Sequence, residues 1–229
     1  MALILCLETS SKNCSVSISK NGELFFLKEK FDENYCHGEQ LHVLIQDLLF
    51  ASEIDITDFD AFAFSSGPGS YTGLRIGASA AKGFSFALNK PVIAVCTLES
   101  MFSEVINSKD HNYDLFCPTL DSRKGEVYAA IYSASKKEHV APFSCDINNF
   151  DFGRILKNNI MCFFGPGNLK LQSVIDHKNA VFLNTDYPSA NSLCFLSENK
   201  FQNNDFVDSA YFEPLYLKNF IATKPTKNI

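Results

Sequence analysis

Ala61-Phe62-Ala63-Phe64-Ser65-Ser66-Gly67-Pro68-Gly69-Ser70-Tyr71-Thr72-Gly73-Leu74-Arg75-Ile76-Gly77 begins as an alternating apolar run and ends inside a long apolar helical pattern. That switch of period predicts a tight strand-to-helix turn over residues 66–77. Glycines there allow positive φ and close backbone approach, and Ser70 or Thr72 is placed to cap the first helical turn. Free N–H groups at a helix start suit a phosphate or carboxylate, which makes Gly67, Gly69 and Ser70 candidate anion-binding residues. The plain alternative is a tight turn with no ligand. No Gly-Lys-Ser/Thr follows the glycines, so this is not a Walker loop, and no glycine-spaced dinucleotide fingerprint is present.

Outward from this stretch, the N-terminal half predicts strands at 3–9, 14–19, 24–29, 60–65 and 91–95 and helices at 39–52, 72–88 and 98–108. Asn21-Gly22 marks a hairpin between the second and third strands. After the polar loop Lys109-Asp110-His111-Asn112 the pattern restarts with strands near 115–121 and 126–132. A short strand at 161–164 and helices near 168–176 and 190–200 follow, so the second half reads as shorter and less regular. Three antiparallel strands followed by alternating helices and strands predict an α/β lobe over residues 1–110 and a second, irregular lobe over 111–229.

The chain has 229 residues, 46% of them hydrophobic, enough for one large domain or two small lobes. The run Ala2–Leu7 is too short to span a membrane and has neither a basic flank nor a cleavage site, so a cytoplasmic location is expected. Eight cysteines without a Cys-x-x-Cys pair, several inside strand-like runs, predict buried free thiols. His37 and His42 are roughly 140° apart around a helix and make a poor metal pair. Net charge is −6; residues 1–110 carry eight Lys/Arg against fourteen Asp/Glu, and 111–229 twelve of each. The basic stripe of a nucleic-acid binder is missing, so any nucleic acid the chain touches would be attracted mainly by a partner.

Two helices predict a partner surface. Leu41, Leu44, Ile45, Leu48 and Leu49 form the core stripe of helix 39–52, while Val43 and Phe50 lie seven residues apart on the other side. Helix 72–88 is apolar around most of its circumference, with Arg75, Ser79 and Lys82 as its polar side and Gly73, Gly77 and Ala80 as a small-residue stripe. A helix of that kind is buried on more than one face. Val43, Phe50, Leu74, Gly77, Ala81 and Phe84 are therefore expected to centre an interface; the alternative is a helix sandwiched within its own domain.

Taken with Leu5-Cys6-Leu7-Glu8-Thr9-Ser10-Ser11, Leu120-Asp121-Ser122-Arg123-Lys124-Gly125-Glu126-Val127-Tyr128, Gly165-Pro166-Gly167-Asn168 and Glu213-Pro214-Leu215-Tyr216-Leu217, the central motif resembles the bacterial TsaB (YeaZ) family, Gcp/M22-like, over nearly the full chain. The resemblance implies a two-lobed actin-like, sugar-kinase and Hsp70 (ASKHA) fold with a degenerate second lobe. It also implies an accessory role in making threonylcarbamoyladenosine in tRNA: a non-catalytic scaffold for a TsaD-type catalytic subunit, alongside a TsaE-type ATPase, with self-association through the same face.

ATP-using members of that superfamily hold metal and phosphates with an acid after the first strand and a second acid in the other lobe. By order these are Glu8 and Asp121. The competing readings are a strand-end residue bonding its own hairpin for Glu8 and a surface ion pair with Arg123 or Lys124 for Asp121. The His-x-x-x-His metal pair of the related catalytic subunit is absent, and Gly165-Pro166-Gly167 only partly resembles an adenosine motif. No cofactor is required on this reading, although weak or vestigial nucleotide binding stays open. The rival readings are a small ATP-dependent kinase or metallopeptidase of the superfamily, and a stand-alone homodimeric nucleotide-binding protein.

Overall fold

Strand β1 (Leu3–Glu8) is the centre from which the first half is built. In the computed structural model, which describes residues 2–34, 36–107, 112–135, 137–184 and 187–218, it pairs antiparallel with β2 (Asn13–Lys20) and parallel with β4 (Ala61–Gly67). Strand β3 (Glu23–Phe31) extends the sheet beyond β2, and β5 (Val92–Cys96) extends it beyond β4, in the order β3-β2-β1-β4-β5. The β2–β3 turn has positive φ at both Asn21 and Gly22, as the Asn-Gly pair predicts.

Alternation along β1 and β4 splits their side chains between two cores. Leu5, Leu7, Phe62 and Phe64 face helices α1 (His37–Ser52) and α2 (Tyr71–Leu88), together with Leu41, Leu48, Ala78 and Ala81. Ile4, Cys6, Ala61 and Ala63 face the other way, against Ala190, Leu193 and Cys194. Burial on both faces is why these strands read as nearly continuous apolar runs.

The residues on that second face come from late in the chain. Residues 190–193 form a single 3-10 turn leading into α6 (Cys194–Gln202), and Val207 bridges Val92 at the sheet edge. Leu215 N–H then donates to the Ser66 carbonyl at 2.7 Å. Residues 111–229 therefore do not all lie in the second lobe as expected: 115–182 build a second sheet, and 190–215 return to the first because its outer apolar face needs a cover. The loop Lys109–His111, the end of the predicted helix at 108 and the tail 219–229 lie outside the described residues.

The second sheet repeats the first. Its order is β10-β9-β6-β7-β8, with β6 (Leu115–Asp121), β7 (Glu126–Ser133) and β8 (Glu138–Asp146) antiparallel and β9 (Met161–Phe164) and β10 (Ala180–Phe182) parallel to β6. Counted from β8, this is the order of the first sheet counted from β3. The connecting helices have shrunk: α4 (Phe152–Leu156) and α5 (Asn168–Gln172) are five residues each, where α1 and α2 have 16 and 18. Helix α3 (Thr97–Asn107) packs Leu98, Met101, Phe102 and Val105 against Phe116, Leu120 and Phe164 of the second sheet.

All eight cysteines are free thiols, six of them buried, and burial pushes the Cys14 and Cys162 thiols up to about 12.

Helix α2 lies very low on the β1–β2 turn. Thr9 Oγ1 donates to the Gly73 carbonyl at 2.8 Å, and a Cβ on Gly73 would sit 2.1 Å from the Thr9 carbonyl oxygen. On Gly77 it would sit 2.4 Å from Thr9 Oγ1, so the small stripe read as a partner surface faces this chain's own turn. Leu74 and Ala81, buried in the same way, are also core rather than interface. Gly83 has open space around it.

Two alanine substitutions on the same helix should therefore act in opposite directions in denaturant titrations. Gly73→Ala is expected to cost about 3 kcal/mol or more, because backbone must move to admit the methyl. Gly83→Ala should stabilise by roughly 0.5–1 kcal/mol from helix propensity alone.

Candidate functional site: an interlobe cleft and a two-helix groove

The motif residues of both sheets meet at a cleft of about 220 Å³ lined by Ser10, Ser11, Lys12, Gly69, Ser70, Asp121, Ser122, Arg123, Tyr128 and Pro166. Its two walls are equivalent turns, β1–β2 in one sheet and β6–β7 in the other. This is where the candidate acids and the candidate anion loop were expected to come together.

Glu8 does not reach the cleft. It is 0% exposed, and its Oε1 accepts from Ser10 N–H at 2.6 Å and Ser65 Oγ at 2.9 Å. The other oxygen has no hydrogen-bond partner among the described residues. Burial pushes its pKa up, against the opposing pull of hydrogen bonds from Ser10, Ser65 and Thr9. The strand-end reading of this residue matches its place: it ties β1 to its own hairpin and to β4.

Asp121 faces the cleft but is engaged. Lys170 Nζ, from α5, lies 2.5 Å from Asp121 Oδ1. The same ammonium donates to the Ser122, Arg123 and Glu126 carbonyls at 3.2, 2.8 and 3.0 Å. The oxygens of the β6–β7 turn thus converge on a side chain of this chain, where a metal ion would otherwise be sought. Lys170 is an ion-pair partner of Asp121, and no spacing in the sequence points to it.

The glycine loop is likewise turned inward. Ser70 caps α2 by accepting from Gly73 N–H at 3.3 Å, while Ser70 N–H donates to the Ser10 carbonyl at 2.7 Å. A Cβ on Gly69 would sit 2.4 Å from that carbonyl oxygen, and one on Gly67 2.8 Å from the Leu215 carbonyl oxygen. Two N–H groups expected to greet an anion are therefore spent within the chain. Gly165-Pro166-Gly167 behaves similarly: it wraps the Thr119 backbone, and Asn168 Nδ2 donates to the Phe163 and Leu183 carbonyls at 3.1 and 2.9 Å.

Glu8 and Asp121 are held in different ways. One acid is sealed in the core and the other is neutralised by a lysine. Among the described residues no group of three or more His, Cys, Asp or Glu side chains could hold a metal ion. His37 is buried, with Nε2 donating to the Ser11 carbonyl at 2.7 Å, and burial lowers its pKa; His42 is exposed on the other side of α1.

The second feature is a groove on the outer side of the first sheet. Gly38 and His42 of α1 face Thr72, Arg75, Ile76, Ser79, Gly83 and Phe84 of α2. Beyond Phe84 the groove continues along Ile45, Leu49 and Phe50. Of the residues expected to centre an interface, Phe50 (87% exposed) and Phe84 line this groove, Val43 is exposed beside it, and Leu74, Gly77 and Ala81 lie underneath. Ile76 and Gly83 were not among the residues expected to centre the interface, although the arc that holds Arg75 and Ser79 runs past them.

Two sheets of one strand order, meeting at their hairpin turns, define an α/β protein of the actin-like, sugar-kinase and Hsp70 type. A family model described as "TsaD: tRNA N6-adenosine threonylcarbamoyltransferase" matches residues 34–225. The tRNA threonylcarbamoyladenosine biosynthesis protein TsaB of Haemophilus influenzae is 26% identical over 96% of this chain and 95% of its own length. TsaB of Escherichia coli is 33% identical over 56% of this chain and 54% of its own. The solved structure of YeaZ from Pseudomonas aeruginosa aligns with a TM-score of 0.77 at 24% identity, covering 95% of this chain and all of that one. The chain belongs to this family, in its TsaB (YeaZ) branch.

The state of Glu8 can be checked by pH. A raised folded pKa means that the folded protein favours the protonated form. The associated stability is fully present below the ordinary carboxylate range and is lost as pH rises through the raised value. Glu8→Gln should remove this dependence, so its stability relative to wild type should grow between pH 4 and pH 8 in urea titrations. Glu8→Ala, which leaves two buried donors unpaired, should cost about 1–3 kcal/mol per donor.

Proposed function

We propose that this chain is a non-catalytic scaffold subunit in tRNA threonylcarbamoyladenosine synthesis, docking a TsaD-type catalytic subunit in the α1–α2 groove. Family membership supports the pathway. The observation that carries the non-catalytic reading is the state of the two acids: Glu8 is sealed beneath its hairpin, and Asp121 is held by Lys170. Neither is free to hold a metal and its phosphates, so the scaffold needs no nucleotide of its own. The groove supports docking because it leaves Phe50 and Phe86, 87% and 90% exposed, on the outer side of two adjoining helices. A TsaE-type ATPase would join the assembly through the partner, and tRNA would be held mainly by the other subunits. Without its partner the chain would pair with a second copy through the same face.

The purified chain alone should neither transfer threonylcarbamoyl to tRNA nor hydrolyse ATP, and adding the TsaD-type subunit with the rest of the pathway should restore modification. Multiple-turnover transfer by the chain alone would refute the scaffold reading. Gly83→Leu places a large side chain in open groove space and should keep or slightly raise the melting temperature while weakening association by about thirtyfold, or about 2 kcal/mol, in titration calorimetry. Wild-type affinity in folded Gly83→Leu and Phe50→Glu proteins would place the interface elsewhere.

A further inference from the structure

Among the described residues that line the groove Arg75 is the one Lys or Arg, and it is held from several sides. Arg75 lies with its guanidinium carbon 4.1 Å from the Tyr71 ring centroid and 5.8 Å from that of Tyr216. The two rings are 4.9 Å apart at 44° to each other, and Arg75 Nε donates to Tyr216 Oη at 3.2 Å. Tyr71 opens α2, whereas Tyr216 arrives from the far end of the chain.

Tyr216 is itself anchored. Leu215 N–H donates to the Ser66 carbonyl, Lys82 Nζ donates to the Phe212 carbonyl at 2.6 Å, and the Phe212 ring packs edge-on against Phe64, 5.6 Å away. The segment 212–216 is thus strapped across α2 and ends in the ring that steadies Arg75. Among the described residues the guanidinium makes that single hydrogen bond and no ion pair; Glu213 is near enough to feel its charge without pairing. Of its five N–H donors, the four on the Nη atoms stay available. A stacked, planar fork loses little further freedom when it closes on a carboxylate.

We propose that Arg75 is the specificity determinant of the docking groove: its Nη atoms take a carboxylate of the TsaD-type subunit in bidentate fashion, and Tyr71 and Tyr216 preset the guanidinium for it. This rests on the docking face proposed above. A protein carboxylate is favoured over an RNA phosphate because the rest of that wall of the groove, Thr72, Ile76, Ser79, Gly83 and Phe84, is uncharged. Nucleic acid is bound by rows of cations, not by one.

Affinity for the purified catalytic subunit is to be measured calorimetrically at 50 and 300 mM salt, with thermal melts alongside. Arg75→Ala should weaken binding about tenfold or more and flatten its salt dependence. Arg75→Lys should recover little, because an ammonium has no fork. Tyr216→Phe, which keeps the ring and removes the hydroxyl, should cost a smaller factor of about two to five. Gly83→Leu serves as the control for the face itself. If Gly83→Leu abolishes binding while Arg75→Ala binds within twofold of wild type with an unchanged salt slope, the arginine assignment falls and the docking face stands. If neither change matters, both fall. Loss of tRNA binding by Arg75→Ala with normal subunit affinity would assign the residue to RNA instead and overturn the proposal.

Discussion

The contact between Thr9 and the start of α2 governs the rest of the structure. Backbone meets backbone there, at a separation that would leave a Cβ on Gly73 only 2.1 Å from the Thr9 carbonyl oxygen. Pressing a helix this close to a strand-end turn spends the Ser70 and Gly73 N–H groups on Ser10 and Ser70. The same glycines that elsewhere let a phosphate approach here let two pieces of one chain touch. Both uses require residues without a side chain, which is why the motif alone leaves them undivided.

A second use of the same logic operates across the cleft. The β6–β7 turn gathers a carboxylate and three carbonyl oxygens, a donor set that suits a hard cation. It closes on Lys170 instead. An exposed Lys–Asp pair by itself is worth little, about 0–1 kcal/mol. With three carbonyls added, the ammonium organises the turn, and the cost of gathering like partial charges is met without a ligand. The short α4 and α5 supply just enough helix to cover the core of this sheet, with Phe152, Leu156 and Leu171.

Much of this fold was legible because its periods are clean. The strands of the first sheet and helices α1 and α2 follow the alternation and 3.6-residue patterns to within two residues at each end. Strand β8 was not foreseen, since Pro142 breaks its pattern and an edge strand tolerates that break. The return of residues 190–215 to the first sheet was also hidden: Ala190, Leu193 and Cys194 contact residues more than a hundred positions away, and no local period records that. The facing of α2 was only partly legible. Its hydrophobicity runs around most of the helix, but which arc meets the sheet depends on Thr9, and Gly73 and Gly77 lie over it.

With that arc settled, the outer face presents an energetic problem of its own. Burying an exposed phenylalanine yields about 1.5–3 kcal/mol, so Phe50 and Phe86 together fall short of, or barely reach, the roughly 4–15 kcal/mol lost on association. Two rings alone do not hold a partner. The groove that Phe50 lines adds Ile76, Leu49 and Phe84, with Gly83 open enough for a partner side chain to enter. Such apolar contacts are nearly indifferent to which protein supplies them. A fixed guanidinium is not indifferent: a partner that brings no acceptor leaves Arg75 desolvated and unpaired. On the docking proposed for this face, affinity would reside in the groove and selection in the charge that Tyr71 and Tyr216 hold beside it.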